Sequence, residues 1–147
     1  MYESLRWVRR TFGAVAFFAV MTGVSACGPQ VNLAPVQGQV ETPGAARVSL
    51  AEVDADILKF AVFNLTNQTM VVLRDEVYMT SRLGSRRRLP GGVSSVYNIA
   101  PGGAHDVNVR FDFDGFVAGD RVEVRFDRAL VVAGSPIAIQ PIALECR

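Results

Sequence analysis

The stretch DRVEVRFDR, residues 120–128, decides the fold class. Val122, Val124 and Phe126 alternate with Arg121, Glu123, Arg125 and Asp127, a period of two that a helix would scatter around its circumference. Such a segment is a strand with one face in a core and the other in water, as in antiparallel sheets. The same period runs through HDVNVRFDF, residues 105–113, where Val107, Val109, Phe111 and Phe113 oppose Asp106, Asn108, Arg110 and Asp112. It recurs in ILKFAVFN, residues 57–64, with Leu58, Phe60 and Val62 on one face. Further strands are predicted at 48–53, 70–73, 77–80, 93–99 and 136–144. They are separated by turn signals such as NLTNQT, LPGG, APGG, FDG and AGSP. Pro141 lacks an N–H group and places the last strand at an edge or a bulge. No credible helix competes, so residues 47–147 are predicted to form one all-β domain, a two-sheet antiparallel sandwich of about seven strands.

Upstream, residues 28–46, GPQVNLAPVQGQVETPGAA, hold three prolines, three glycines and no aromatic residue. This composition predicts a flexible tether, with a root-mean-square span of roughly 25 Å for about nineteen residues. Before it come Arg6, Arg9 and Arg10 and then the apolar run TFGAVAFFAVMTGV, residues 11–24. That is the order of a secretory signal. As a helix the run rises roughly 21 Å, short of the ~30 Å hydrocarbon core, which disfavours a permanent span.

The run ends in Val24-Ser25-Ala26-Cys27, which resembles the lipobox of bacterial lipoproteins. The resemblance implies cleavage after residue 26 and acylation of Cys27, so that the membrane is engaged through covalent lipid at that residue. Three acyl chains at about 0.8 kcal/mol per buried CH₂ would anchor the chain permanently. Gly28 follows, where an Asp would imply retention at the inner membrane. The implied address is the outer membrane, facing the periplasm. The domain division expected is leader 1–26, lipidated cysteine and tether 27–46, and β-domain 47–147. Within the domain, FAVFNLTNQT, a central hairpin and then IAPGGAHDVNVRFDF resemble the immunoglobulin-like domains of envelope lipoproteins.

Loss of the leader removes Arg6, Arg9, Arg10 and Glu3 from a chain of 15 basic and 14 acidic residues, leaving a side-chain charge near neutrality. This balance argues against nucleic acid as a partner, which requires a strongly basic surface. With Cys27 lipidated, Cys146 is expected to be a free thiol on a frayed terminus.

The inventory also disfavours catalysis. One histidine, His105, and one lysine, Lys59, remain, with no G-x-S-x-G elbow or S-x-x-K pair. No cofactor motif is present. Asp112, Asp114 and Asp120 fall at the first, third and ninth positions of a calcium loop, but Phe116 and Val117 occupy positions five and six, where an oxygen ligand and a glycine belong. An Asp- and Gly-rich hairpin tip accounts for the same residues, and calcium at the tip stays the secondary reading. The unusual surface feature is SRLGSRRRLPGG, residues 81–92, where Arg82, Arg86, Arg87 and Arg88 stand in a stretch without acids. Arginine forks favour carboxylates and phosphates, so these four form the candidate docking site for an anionic envelope partner. The function expected is a non-catalytic, lipid-anchored binding or structural module. The alternatives are a subunit of a secretion or envelope-assembly machine and a calcium- or small-ligand-binding accessory.

Overall fold

A computed structural model describes residues 32–92 and 94–147. The leader, Cys27 and the first part of the expected tether lie outside the described residues. In chain order the strands are β1 (Leu33–Gln37), β2 (Gln39–Thr42), β3 (Ala46–Asp54), β4 (Ile57–Asn64), β5 (Met70–Leu73), β6 (Tyr78–Ser81) and β7 (Gly84–Arg87). There follow β8 (Val96–Ile99), β9 (Ala104–Arg110), β10 (Arg121–Arg125), β11 (Leu130–Val132), β12 (Ser135–Pro136) and β13 (Ile142–Cys146). A single 3-10 turn, Arg74–Glu76, links β5 to β6.

The strands form three antiparallel sheets in the orders β1-β13-β10-β6-β7, β2-β3-β4-β9 and β12-β11-β5-β8. The alternation that predicted them sets their faces. Val122 and Val124 of β10, Leu58, Phe60 and Val62 of β4, and Val107 and Val109 of β9 are all buried in one core. Phe60 meets Phe126 edge-on at 4.9 Å between centroids, joining β4 to the end of β10 across two sheets. Each such buried aromatic contributes about 1.5–3 kcal/mol.

The all-β class stands, but among the described residues the strands are thirteen where about seven were predicted and the sheets three where two were predicted, and three further expectations change. The tether is not a tether from Leu33 onward: β1 pairs with β13, Leu33 opposite Cys146, and β2 pairs with β3, Val40 opposite Val48. Leu33 and Val40 are buried in the core. Pro35 fits because β1 is an edge strand, with the register shifting between Pro35 and Gln37. Gly38 is the one residue between two strands of different sheets. Second, β13 is an interior strand between β1 and β10, and Pro141 stands just before it, outside the ladder. Third, residues 111–120 are not a hairpin tip but a crossover between sheets. They bury Phe111, Phe113 and Phe116 in edge-on pairs 6.5 and 5.8 Å apart.

One polar side chain, Asn64, is fully buried and ties two turns together. Its Nδ2 donates to the carbonyls of Gln68 (2.7 Å), Ile99 (3.0 Å) and Ala100 (3.3 Å). Its Oδ1 accepts from the Thr66 backbone N–H (3.0 Å) and hydroxyl (2.6 Å). The NLTNQT segment is therefore the Asx turn its composition implies.

At one rim of the five-stranded sheet, several chain segments meet. The Arg147 N–H donates to the Asn32 carbonyl (2.8 Å), Cys146 N–H to the Asp120 carbonyl (2.9 Å), and Gly119 N–H to the Cys146 carbonyl (2.8 Å). The β6–β7 turn with Arg82 and Leu83 stands in the same row, since Val122 pairs with Ser81.

Candidate functional site

Two of the four arginines, Arg82 and Arg86, meet the segment that holds the three aspartates, whereas Arg87 and Arg88 do not. Arg82 grips Asp120 with two parallel bonds, Nε to Oδ1 at 2.6 Å and Nη2 to Oδ2 at 2.8 Å, and also reaches the Gly115 carbonyl at 3.0 Å. Arg86 donates to the carbonyls of Asp112 (2.8 Å) and Asp114 (3.0 Å), with its guanidinium over the Phe116 ring. Arg88 is paired with Asp75 and caps the Leu89 and Gly91 carbonyls at 3.0 and 3.1 Å. Three of the four arginines thus clasp this chain's own loops. Arg87 alone is exposed with no ion pair among the described residues.

The bond to Arg82, reinforced by the Val117 N–H, holds the Asp120 carboxyl below its ordinary range, and the same contact raises Arg82. A carboxylate so engaged is a poor cation ligand. Asp112 Oδ1 instead accepts from the Asp114 N–H at 2.9 Å. Among the described residues no three acidic, histidine or cysteine side chains are grouped to hold a metal.

Arg87 opens onto a groove of about 570 Å³ on the outer face of the five-stranded sheet. Strand alternation builds it: with Met79, Val122 and Val124 in the core, Tyr78, Thr80 and Arg125 face outward beside Ser85 and Arg87. Arg125 bonds Glu123 at 2.6 Å. Arg128 sits 5.7 Å from the Tyr78 ring centroid, and the Tyr78 hydroxyl donates to Asp127 at 3.3 Å. Among the described residues Arg128 has no ion-pair partner, so Arg87, opposite Tyr78 in the ladder, and Arg128 stand beside one aromatic ring outside any ion pair, in a groove that Glu76 and the Arg88-bound Asp75 also line. Arg125, Arg128 and Tyr78 escaped the sequence reading. They share a face only through the pairing of β10 with β6, although the outward positions of DRVEVRFDR already carried the signal.

His105 is exposed, its Nδ1 2.7 Å from the Asp106 carbonyl oxygen and its ring 4.6 Å from that of Tyr97. The Ser94 hydroxyl donates to the Val96 carbonyl at 2.7 Å. Cys27 lies outside the described residues. Cys146 corrects the expectation of a frayed free thiol: it is 1 % exposed, held between β1 and the crossover, and is not a free cysteine.

Compared with family models, with curated proteins and with solved structures, the chain has no match in any of the three.

Proposed function

We propose that this protein is an exported, lipid-anchored binding module of the bacterial envelope. In this reading the leader 1–26 delivers the chain, Cys27 carries the lipid, and an immunoglobulin-like β-sandwich offers its arginine groove to an acidic segment of another envelope protein. The observation that carries the binding role is the Arg87, Tyr78 and Arg128 constellation, two cations outside any ion pair beside one aromatic ring. Arginine and tyrosine are the residues on which interface energy concentrates. Partners with clustered Asp or Glu would be steered to it by charge.

The anchoring role rests on the Val24-Ser25-Ala26-Cys27 order. Because β1 begins at Leu33, five residues separate the lipidated cysteine from the fold, at most roughly 20 Å when extended. The leash is shorter than a nineteen-residue tether would be. The rim holding Asn32 and Arg82 faces the bilayer in this arrangement, and the groove opens about three residues further along the strands, roughly 10 Å away from it.

Cys146 favours a second reading, an exported domain without lipid. The chain has two cysteines, so a disulfide within one chain and a thioether at Cys27 exclude each other.

The test is crosslinking on native membranes with the Arg87→Ala/Arg128→Ala double variant alongside, together with intact-mass measurement before and after reduction. Loss of a recurrent acidic partner in a folded variant supports docking, and a retained partner refutes it. Lipid mass that disappears in Cys27→Ser supports the anchor. An unlipidated monomer that gains two hydrogens on reduction supports the second reading.

A further inference from the structure

A second cleft of about 570 Å³ is lined by Arg74, Arg88, Arg110, Tyr97 and His105 among others. Arg74 is 5 % exposed. Arg88 and Arg110 each have a carboxylate, Asp75 and Asp56 respectively. Arg74 has none within 4.0 Å among the described residues. Its Nη2 donates to the Gly91 carbonyl at 2.6 Å, and its Nε is buried with no hydrogen-bond partner.

A desolvated cation without counter-charge is strongly unfavourable, and a fold retains one where something else completes it. The chain also keeps room for this group. A Cβ at Gly92, whose φ is +92°, would stand 2.3 Å from Arg74 Nη1, so the guanidinium lies flat on bare backbone. It is seated in a fixed orientation at the cleft wall.

We propose that this cleft binds a small organic acid through one carboxylate received by Arg74, with its body resting against Tyr97 and His105. One unpaired positive charge matches one carboxylate. Asp106, which also lines the cleft, opposes a dianion such as a phosphate monoester. The two rings, tilted 43° to each other, offer a wall for a flat apolar body. This site does not rest on the anchor, and it adjoins the arginine groove at the Arg88–Asp75 pair, Arg88 lining the cleft and Asp75 the groove.

Benzoate is the probe, with benzamide as its neutral isostere and phenyl phosphate as the dianion, titrated at constant ionic strength into the detergent-solubilised full chain. Binding is followed by ¹⁵N NMR of arginine side chains. The expected result is saturable movement of the Arg74 Nε–H resonance with benzoate and none with benzamide. Arg74→Met should weaken benzoate by about tenfold or more, the loss expected of a charge-assisted bond. Tighter binding of phenyl phosphate would overturn the carboxylate assignment. An unmoved Arg74 resonance at saturating benzoate would overturn the site, and this wild-type measurement decides even if Arg74→Met does not fold.

Discussion

Replacing Asn64 by alanine removes the clamp between the NLTNQT turn and the turn after β8. The bond to Ile99 is fully buried, and those to Gln68, Ala100 and Thr66 are partly so. Truncation leaves the Ile99 carbonyl without that donor, a penalty of about 1–3 kcal/mol. Loss of the part-buried bonds adds about 1 kcal/mol or more, and the cavity left by the amide adds to it. Allowing for non-additivity among neighbours, the expected loss is about 3–4 kcal/mol. Asn64→Asp should lose at least as much, since it keeps the acceptor for Thr66 but sets a carboxylate oxygen against three carbonyls. Thr66→Val, which removes only the hydroxyl, should lose about 1 kcal/mol. The assay is urea unfolding followed by far-ultraviolet circular dichroism, with the three variants sharing a common m-value. A loss below about 1 kcal/mol for Asn64→Ala would refute the argument, because a buried amide with this many partners could then be dispensed with.

Two further outcomes follow from contacts described above. Asp120 is held below its ordinary value of 3.8, so the stability it contributes is present above that value and disappears as pH falls through its lowered folded-state value. Thermal unfolding of the wild type and Asp120→Asn should accordingly differ most near neutrality and converge in strong acid, and a gap that widens with acid would contradict the Arg82 pairing. Deleting residues 28–38 should lower the melting temperature by more than about 5 °C, because β1 covers one edge of β13 and buries Leu33, whereas removal of a true tether would leave melting unchanged.

The strands with one wet face were legible from the sequence because their signal is local: β4, β9 and β10 alternate within eight residues or fewer. The Asn64 turn was legible for the same reason, its hydroxyl and amide chemistry lying within a few positions. β1 and β2 were not. Both are short with Pro and Gly at their margins; β1 owes its order to a partner far along the chain, Leu33 to Cys146, whereas β2 closes a local hairpin, Thr42 opposite Ala46, and is too short to show a period of its own. The arginine clasp was hidden in a similar way. The residues of SRLGSRRRLPGG read as a free cationic loop until the crossover at 111–120 folds back and presents Asp120 and three carbonyls to Arg82 and Arg86. Arg74 gave no local cue, since a charged residue after the apolar run Met70–Leu73 reads as an ordinary strand end.

The bond from Arg147 to Asn32 makes the described chain nearly a ring. A linker joining those two ends would have little distance to cover, and new ends opened at the exposed β11–β12 turn, Ala133-Gly134, would leave the Asn64 clamp and the long β3–β4 and β4–β9 ladders intact, so the fold is suited to circular permutation. For labelling, the same closure means that a tag fused after Arg147 emerges beside whatever precedes Asn32, while one inserted at the permuted ends would hang from another part of the surface. Paired fluorophores at the two positions would then report how the domain is oriented on any surface that holds it.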